Sequence, residues 1–486
     1  MAAAARAILP PAPNVRKAIG MASTVALALV AGATAVVSIQ VAATLALLVL
    51  LLAVRRESRT AGLMVMWTYW LLIPGVRRVL DLSGTSPGAD PLSLLPFVST
   101  ALLATMELWQ NRLDRKARWI LGLGAAGIGL GLPVGLLVDP AGAIFAIFAY
   151  TASLSAFVLG WGDGTRRISR PTLYRMLAVA LVPLSIYALF QYFSSLPVWD
   201  AKWVDSGALG SLSAPQEGHI RVFSTLNAPF TFAILLGTGI LLGLGRKWHV
   251  RKTVLVLMIA PVMLALAVTY MRSVWLGLVI GLLVFAAAMR GEVARRVVLV
   301  VIFCTVGLIV VGGSNSTTSA FTERVTSLGS PGKDVSAQSR LARTNQLLPV
   351  ALRQPLGAGL GQAGLTSERL GGSSDEFLTT VDNGYLSLLY QSGLLAFVLL
   401  ITALGGSLVA GFEGLRSREG ADRQVQAALV ATLAMLLLVL AAGEVLFGLP
   451  GVILWYLCGL AVASSRASGG GDRGRIAVQS PSRIHG

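Results

Sequence analysis

Two cysteines and three histidines are all that 486 residues offer of the side chains that most readily bind metals or form cross-links. Cys304 and Cys458 lie inside apolar runs, where a thiol behaves as a small core residue, so neither a disulfide framework nor a thiolate metal site is expected. His219, His249 and His485 are too few for a histidine-based centre. Charge is scarce as well. Asp, Glu, Lys and Arg make up 13% of the chain against 55% hydrophobic residues, and mean hydropathy is +0.75. Soluble domains do not have that balance, and the alternating pattern of an outer-membrane barrel is missing. Continuous apolar runs such as Met21–Val54 and Val297–Val311 define the class instead: an all-α polytopic membrane protein.

Acidic residues are outnumbered 22 to 39, which gives a formal net charge of +17. In a soluble protein that excess would point to nucleic acid. Here the basic residues sit in short clusters flanking apolar runs, so they set topology and no nucleic-acid partner is expected. Stretches of spanning or near-spanning length lie near 19–38, 40–54, 61–76, 91–109, 117–137, 140–160, 172–194, 229–244, 252–270, 273–289, 296–313, 384–411, 425–445 and 448–464. They predict about 12–14 transmembrane helices. The first run follows Arg6, Arg16 and Lys17 but is too long for a signal peptide and lacks a small-residue cleavage site, so it reads as a retained span.

With the N-terminus in the cytoplasm, most Lys and Arg fall in every second connection: Arg55 to Arg59, Arg112 to Arg118, Arg166 to Arg170, Arg246 to Lys252, Arg290 to Arg296 and Arg416 to Arg423. The expected organisation is membrane helices over 1–313, one large extracytoplasmic loop over 314–383, membrane helices over 384–464 and a disordered cytoplasmic tail over 465–486. Both termini are then expected on the cytoplasmic side. Within the long loop, Arg340 to Leu352 has helical spacing and Gln354 to Gly361 breaks it.

Several arginines fall on the outer side, where they do not help orient the chain. Arg272 occupies a hairpin, Thr269 to Gly277, that holds almost nothing else. A guanidinium near the bilayer costs about 3 kcal/mol without a partner. It either snorkels to lipid phosphates or clamps an anionic substrate such as a diphosphate, for which its planar fork is suited. Arg221 lies where an outer segment re-enters the membrane at Asn227-Ala228-Pro229. Asn227 is the expected cap of the next helix and Pro229 its first turn, which turns a helix N-terminus toward any anion at the outer face. A plain surface arginine fits equally well. Arg77 and Arg78 follow Pro74-Gly75, with Asp81 placed for a local ion pair to Arg77. Asp382, just before the 384–411 span, is open to two roles: helix cap or general base. Glu444 is a second acid close to the outer face, suited to orienting an arginine or taking a proton. Tyr385 and Trp203 suit either sugar stacking or an interfacial aromatic belt.

Three of these stretches, in order, resemble the bacterial O-antigen ligase and O-antigen/exopolysaccharide polymerase family. Arg221 to Phe232 is similar to its Arg-x-x-(Gly/Ser)-Thr segment ending in Pro, Thr269 to Leu278 to its Ser-Arg-Gly-x-Trp-Leu-Gly hairpin, and Gln354 to Leu395 to its Pro-Leu-x-Gly-x-Gly loop followed by His-Asn-x-Tyr-Leu. Pro74 to Asp81, Gln191-Tyr192-Phe193 and Trp199-Asp200 also resemble polysaccharide polymerases. Two departures stand out: Asp382 replaces the His of the His-Asn pair, and no Gly follows Arg272.

The resemblance implies a GT-C-like, metal-independent glycosyltransferase without cofactors. Its substrates would be a polyprenyl-diphosphate-linked oligosaccharide and an acceptor hydroxyl, and its partners membrane lipid, a chain-length regulator and a flippase. Arg221, Arg272 and Asp382 would be catalytic. Arg77, Arg78, Arg343, Asn383, Tyr385 and Glu444 would bind substrate. Polymerase is the favoured activity, because the upstream segments resemble polymerases and Asp382 departs from the ligase-like His. A ligase acting on a lipid or protein acceptor is the alternative. A transporter or flippase of lipid-linked sugars would show internal symmetry and broken midplane helices, and a non-catalytic scaffold would use the arginines only to hold anionic lipid.

Overall fold

A computed structural model describes residues 39–81, 91–167, 171–205, 220–246, 252–289, 335–363 and 383–465. Every regular element among them is helical: α1 (Ile39–Glu57), α2 (Arg59–Leu80), α3 (Leu95–Gln110, entered through a 3₁₀ turn at Pro91–Leu94), α4 (Arg115–Gly129), α5 (Leu132–Val138), α6 (Pro140–Arg167), α7 (Thr172–Phe193), α8 (Val198–Asp205), α9 (Pro229–Leu244), α10 (Lys252–Val268), α11 (Arg272–Met289), α12 (Val335–Arg353), α13 (Gly384–Arg416), α14 (Gly420–Val439) and α15 (Gly448–Ser465). Eight helical stretches among the described residues are long and apolar enough to cross a membrane, and 229–244 and 254–268 are shorter apolar helices. The protein is an all-α polytopic membrane protein. The expected spans at 19–38 and 296–313, the loop segments 314–334 and 364–382, and the tail beyond 465 lie outside the described residues.

The hub is α15, buried from Leu449 to Ser464. It packs along α6 with little between the backbones, because Gly160 faces the Tyr456 carbonyl and Gly459 faces that of Phe157. Close approach through small residues is how helices associate where lipid removes the hydrophobic drive. Helix α14 then packs against α11 and α9, and α13 against α4 and α15.

Two expected spans are broken. The 117–137 stretch divides at Leu130-Gly131 into α4 and α5, because Pro133 is tolerated only in the first turn of a new helix. The 425–445 stretch stops at Val439 and continues as a 3₁₀ turn, Leu440–Ala442.

One end of the bundle gathers the basic clusters. Arg59 pairs with Glu107 at 2.8 Å and Asp163 at 3.1 Å, and Arg166 reaches Glu107 at 2.6 Å. Asp163 also accepts from the Thr172 amide at 2.6 Å and from the Tyr456 hydroxyl. Nearby donors satisfy the carbonyls that helix C-termini leave open: Arg423 on Ala288 at 3.0 Å, Gln424 on Leu244 at 2.6 Å and Arg418 on Ser464 at 3.2 Å. These contacts bring the charge clusters between α1 and α2, α3 and α4, α6 and α7, and α13 and α14 to one end, the arrangement that the positive-inside pattern requires.

Candidate functional site

The opposite end collects the C-termini of α2 and α7 and the N-termini of α9, α11 and α13. Helices α9 and α11 run side by side in the same direction, with Gly237 near Val274 and Gly281 near Leu241. Arg221 precedes α9 and Arg272 opens α11, so both lie at this end, each partly buried. Gly443 packs on the Phe230 ring and Gly384 on Leu440 and the Gly443 carbonyl. The start of α13 and the Glu444 turn therefore adjoin the start of α9.

Arg78 builds the Arg221 segment. Its side chain and that of Asp200 are both fully enclosed, and its Nε lies 2.8 Å from Asp200 Oδ1. The guanidinium donates to the carbonyls of Ser224 and Leu226, each at 2.7 Å, and to Asn227 Oδ1 at 3.1 Å. Trp203 and Phe223 cover its faces, with ring centroids 5.3 and 4.9 Å from the guanidinium carbon. Tyr187 and Gln191 donate to the other carboxylate oxygen of Asp200 at 2.7 and 2.6 Å. The Arg78 guanidinium is thus enclosed by protein groups, with its side chain fully buried. Asn227 is held by Arg78 and is not the cap of α9: Ala228 takes the cap position without a side-chain bond, and Pro229 stands in the first turn. Trp203 is buried over Arg78.

Consecutive residues of α7 hold both arginine segments. Gln191 accepts from the Ser224 amide at 2.8 Å and donates to its carbonyl at 3.2 Å. The Tyr192 and Tyr270 hydroxyls lie 2.8 Å apart. Ser224 and Tyr270 are the residues other than glycine with positive φ, at 56° and 55°, among those described. Left-handed conformations cost energy in such residues and persist where surrounding contacts fix them. The Trp275 indole donates to the Leu266 carbonyl at 3.1 Å, closing the hairpin from its other side.

Arg77 forms the expected local pair with Asp81, at 3.7 Å. The cap of α13 is Asn383, whose Oδ1 accepts from the amides of Tyr385 and Leu386. The side chains of Asp382 and Arg343 lie outside the described residues, as does His219. Tyr385 donates to the Leu437 carbonyl at 2.7 Å and packs edge-on against Phe397.

The glycine loop docks on a break in α13. Gly393 has φ +79°, which interrupts the helix and releases the carbonyls of Tyr390 and Gln391 from their usual partners. The amides of Ala358 and Gly359 take those carbonyls at 2.7 and 3.0 Å. Leu360 donates to Gly131 at the break between α4 and α5, at 2.9 Å. Gly357, Gly359 and Gly361 all have positive φ, and a Cβ on any of them would meet neighbouring backbone. The Gly-x-Gly-x-Gly spacing thus serves a loop wedged between two broken helices.

Sequence reasoning named Gln191 and Asp200 only within motifs and missed Ser387 and Gln391. The Ser387 hydroxyl donates to Glu444 Oε1 at 3.1 Å and accepts from Gln391 Nε2 at 2.9 Å. Among the described residues, no group of three or more His, Cys, Asp or Glu side chains is placed to hold a metal ion.

The fold and this rim define a polytopic helical membrane protein with a polar, arginine-bearing end. Residues 253–401 match the family model described as O-antigen ligase. The match takes in the Arg272 hairpin, α12, the glycine loop and the broken part of α13, while Arg221 lies before it and Glu444 after it. No curated protein matches the chain.

Proposed function

We propose that this protein is a polymerase of lipid-linked oligosaccharide repeat units, working at the outer face of a bacterial cytoplasmic membrane. The acceptor hydroxyl oxygen attacks the anomeric carbon of the donor glycan, and the bond from that carbon to the polyprenyl diphosphate breaks. The hydroxyl proton passes to Asp382. Arg221 and Arg272 bind the diphosphate and stabilise the charge that builds on it as it leaves, a role in which preorganised cations replace a divalent metal. Arg78 is a positioning residue that shapes the Arg221 segment, and Arg77, Arg343, Asn383, Tyr385 and Glu444 line the path of the glycans. Regulator and flippase partners belong to the same reading.

The observation that carries the reading is the anchoring of both arginine segments by adjacent side chains, Gln191 and Tyr192, at the end of α7. The match to the O-antigen ligase family model supports glycan transfer as the reaction class. The test supplies purified protein with polyprenyl-diphosphate repeat units in the presence of EDTA and follows glycan length. Lengthened glycan on the lipid supports the polymerase. Transfer to a separate lipid or protein acceptor without lengthening makes it a ligase. No product, together with movement of the same lipid across liposomes, overturns the enzymatic reading.

A further inference from the structure

Helix α12 carries more apolar surface than its packing on α13 uses. Leu347 and Ala351 are buried, and Leu347 packs with Ala363 and Leu386, which holds the helix on the start of α13. The neighbouring edge carries Leu348 and Leu352, one turn apart and both exposed, and Leu356 in the turn that follows is 63% exposed. The same surface continues to either side. Pro355 and Gly357 lie against Gly393, so Leu356 adjoins the exposed Leu394 and Leu395 of α13. Gly359 and Leu360 lie against Gly135, which adjoins Leu136, Leu137 and Val138 of α5, and Leu137 is 87% exposed. The flanking stretches, Arg115–Val138 and Gly384–Arg416, are each long and apolar enough to cross a membrane, so exposed leucines on them face lipid. Helix length puts the whole surface at one level. At 1.5 Å of rise per residue, Gly393 stands no more than about 35 Å from Arg416, and Gly135 no more than about 30 Å from Arg115. Both arginines belong to the basic end, and the hydrocarbon layer is about 30 Å thick. Two helices counted separately therefore place the glycine loop where hydrocarbon gives way to headgroups, at the rim end.

We infer that the second half of α12 and the glycine loop are seated in the membrane surface, with the edge formed by Leu348, Leu352 and Leu356 dipping among the acyl chains of the leaflet at the rim end. A helix of this kind lies along the interface, its apolar side among the upper acyl carbons and its polar side in water. Gln346 and Arg353, both exposed, supply the polar side, because they fall about 100° or more around the helix from that edge. Lipid is the occupant because the apolar surface runs unbroken from the lipid faces of α5 and α13 onto the loop, at the depth where those faces end. The long loop expected from the sequence thus contains a part, 344–363, that belongs to the bilayer surface. The inference does not draw on the glycan-transfer reading and stands or falls apart from it.

The experiment attaches an environment-sensitive fluorophore to single cysteines, Leu348→Cys, Leu352→Cys, Leu356→Cys and Gln346→Cys, in the full chain carrying Cys304→Ala and Cys458→Ala and held in phosphatidylcholine nanodiscs. Phosphatidylcholine spin-labelled high on its acyl chain is expected to remove most of the emission at the three leucine positions and little at Gln346→Cys. Dissolved iodide is expected to do the reverse, and the leucine positions should emit to the blue of Gln346→Cys. Iodide quenching at all four positions without lipid quenching places the edge in water and overturns the inference. Shielding from both quenchers means that a protein surface, such as a second copy of this chain, covers the edge, and overturns it as well. Lipid quenching as strong at Gln346→Cys as at the leucines describes a submerged helix and contradicts a seat at the boundary. If the chain without cysteines does not accumulate, a genetically encoded fluorescent amino acid at positions 346 and 348 repeats the comparison with both native cysteines in place.

Discussion

Tyr192 and Tyr270 meet through their hydroxyls at 2.8 Å, and this contact ties the hairpin bearing Arg272 to the helix whose preceding residue, Gln191, grips the segment bearing Arg221. Two basic segments far apart in the chain thereby share one fixture. A diphosphate clamp needs such a fixture, because a small displacement of a charge-stabilising donor lowers its contribution sharply.

Tyr192→Phe removes that bond and keeps the ring. The expected loss of stability is about 1 kcal/mol. Thermal unfolding in detergent reads it, and turnover with lipid-linked donor should fall. Equal turnover in Tyr192→Phe and wild type would show that the hairpin is held by other means.

Asp200→Ala leaves the enclosed Arg78 without its carboxylate. Losing one partner of a buried pair costs about 3–5 kcal/mol, so the variant should accumulate poorly or unfold at much lower temperature. Asp81→Ala is the contrast: its pair with Arg77 is local, 3.7 Å long and partly exposed, and its loss should cost about 0.5 kcal/mol or less. The same unfolding assay compares the two. Similar effects would mean that Arg78 finds other compensation.

Gly393→Ala places a Cβ against Pro355 at a φ of +79°. The strain alone is about 1 kcal/mol, and the added contact pushes the glycine loop from its seat. Limited proteolysis should cut near 354–363 faster in this variant, and turnover should fall. Unchanged cleavage would show that the loop does not depend on the break in α13.

Much of this fold is written in the chain's apolar runs, which define an all-α polytopic membrane protein. The site is legible only in part. Arg77 and Asp81 pair as local spacing predicts, whereas the Asp200 partner of Arg78 is over a hundred residues away and leaves no local pattern. Asn227, a good cap by residue type, is instead held by the Arg78 guanidinium, a tertiary bond that leaves no local pattern. The break at Gly393 was invisible because glycine inside an apolar run is ordinary in membrane helices. Its meaning emerges only with the loop amides that occupy the freed carbonyls.

The most direct measurement is the rate of glycan transfer from a polyprenyl-diphosphate donor by purified wild type, Arg221→Ala and Arg272→Ala, with unfolding temperatures recorded for each. If these guanidiniums stabilise the departing diphosphate, each variant loses at least about 100-fold in rate while unfolding within a few degrees of wild type. Transfer at the wild-type rate by either folded variant would contradict the account.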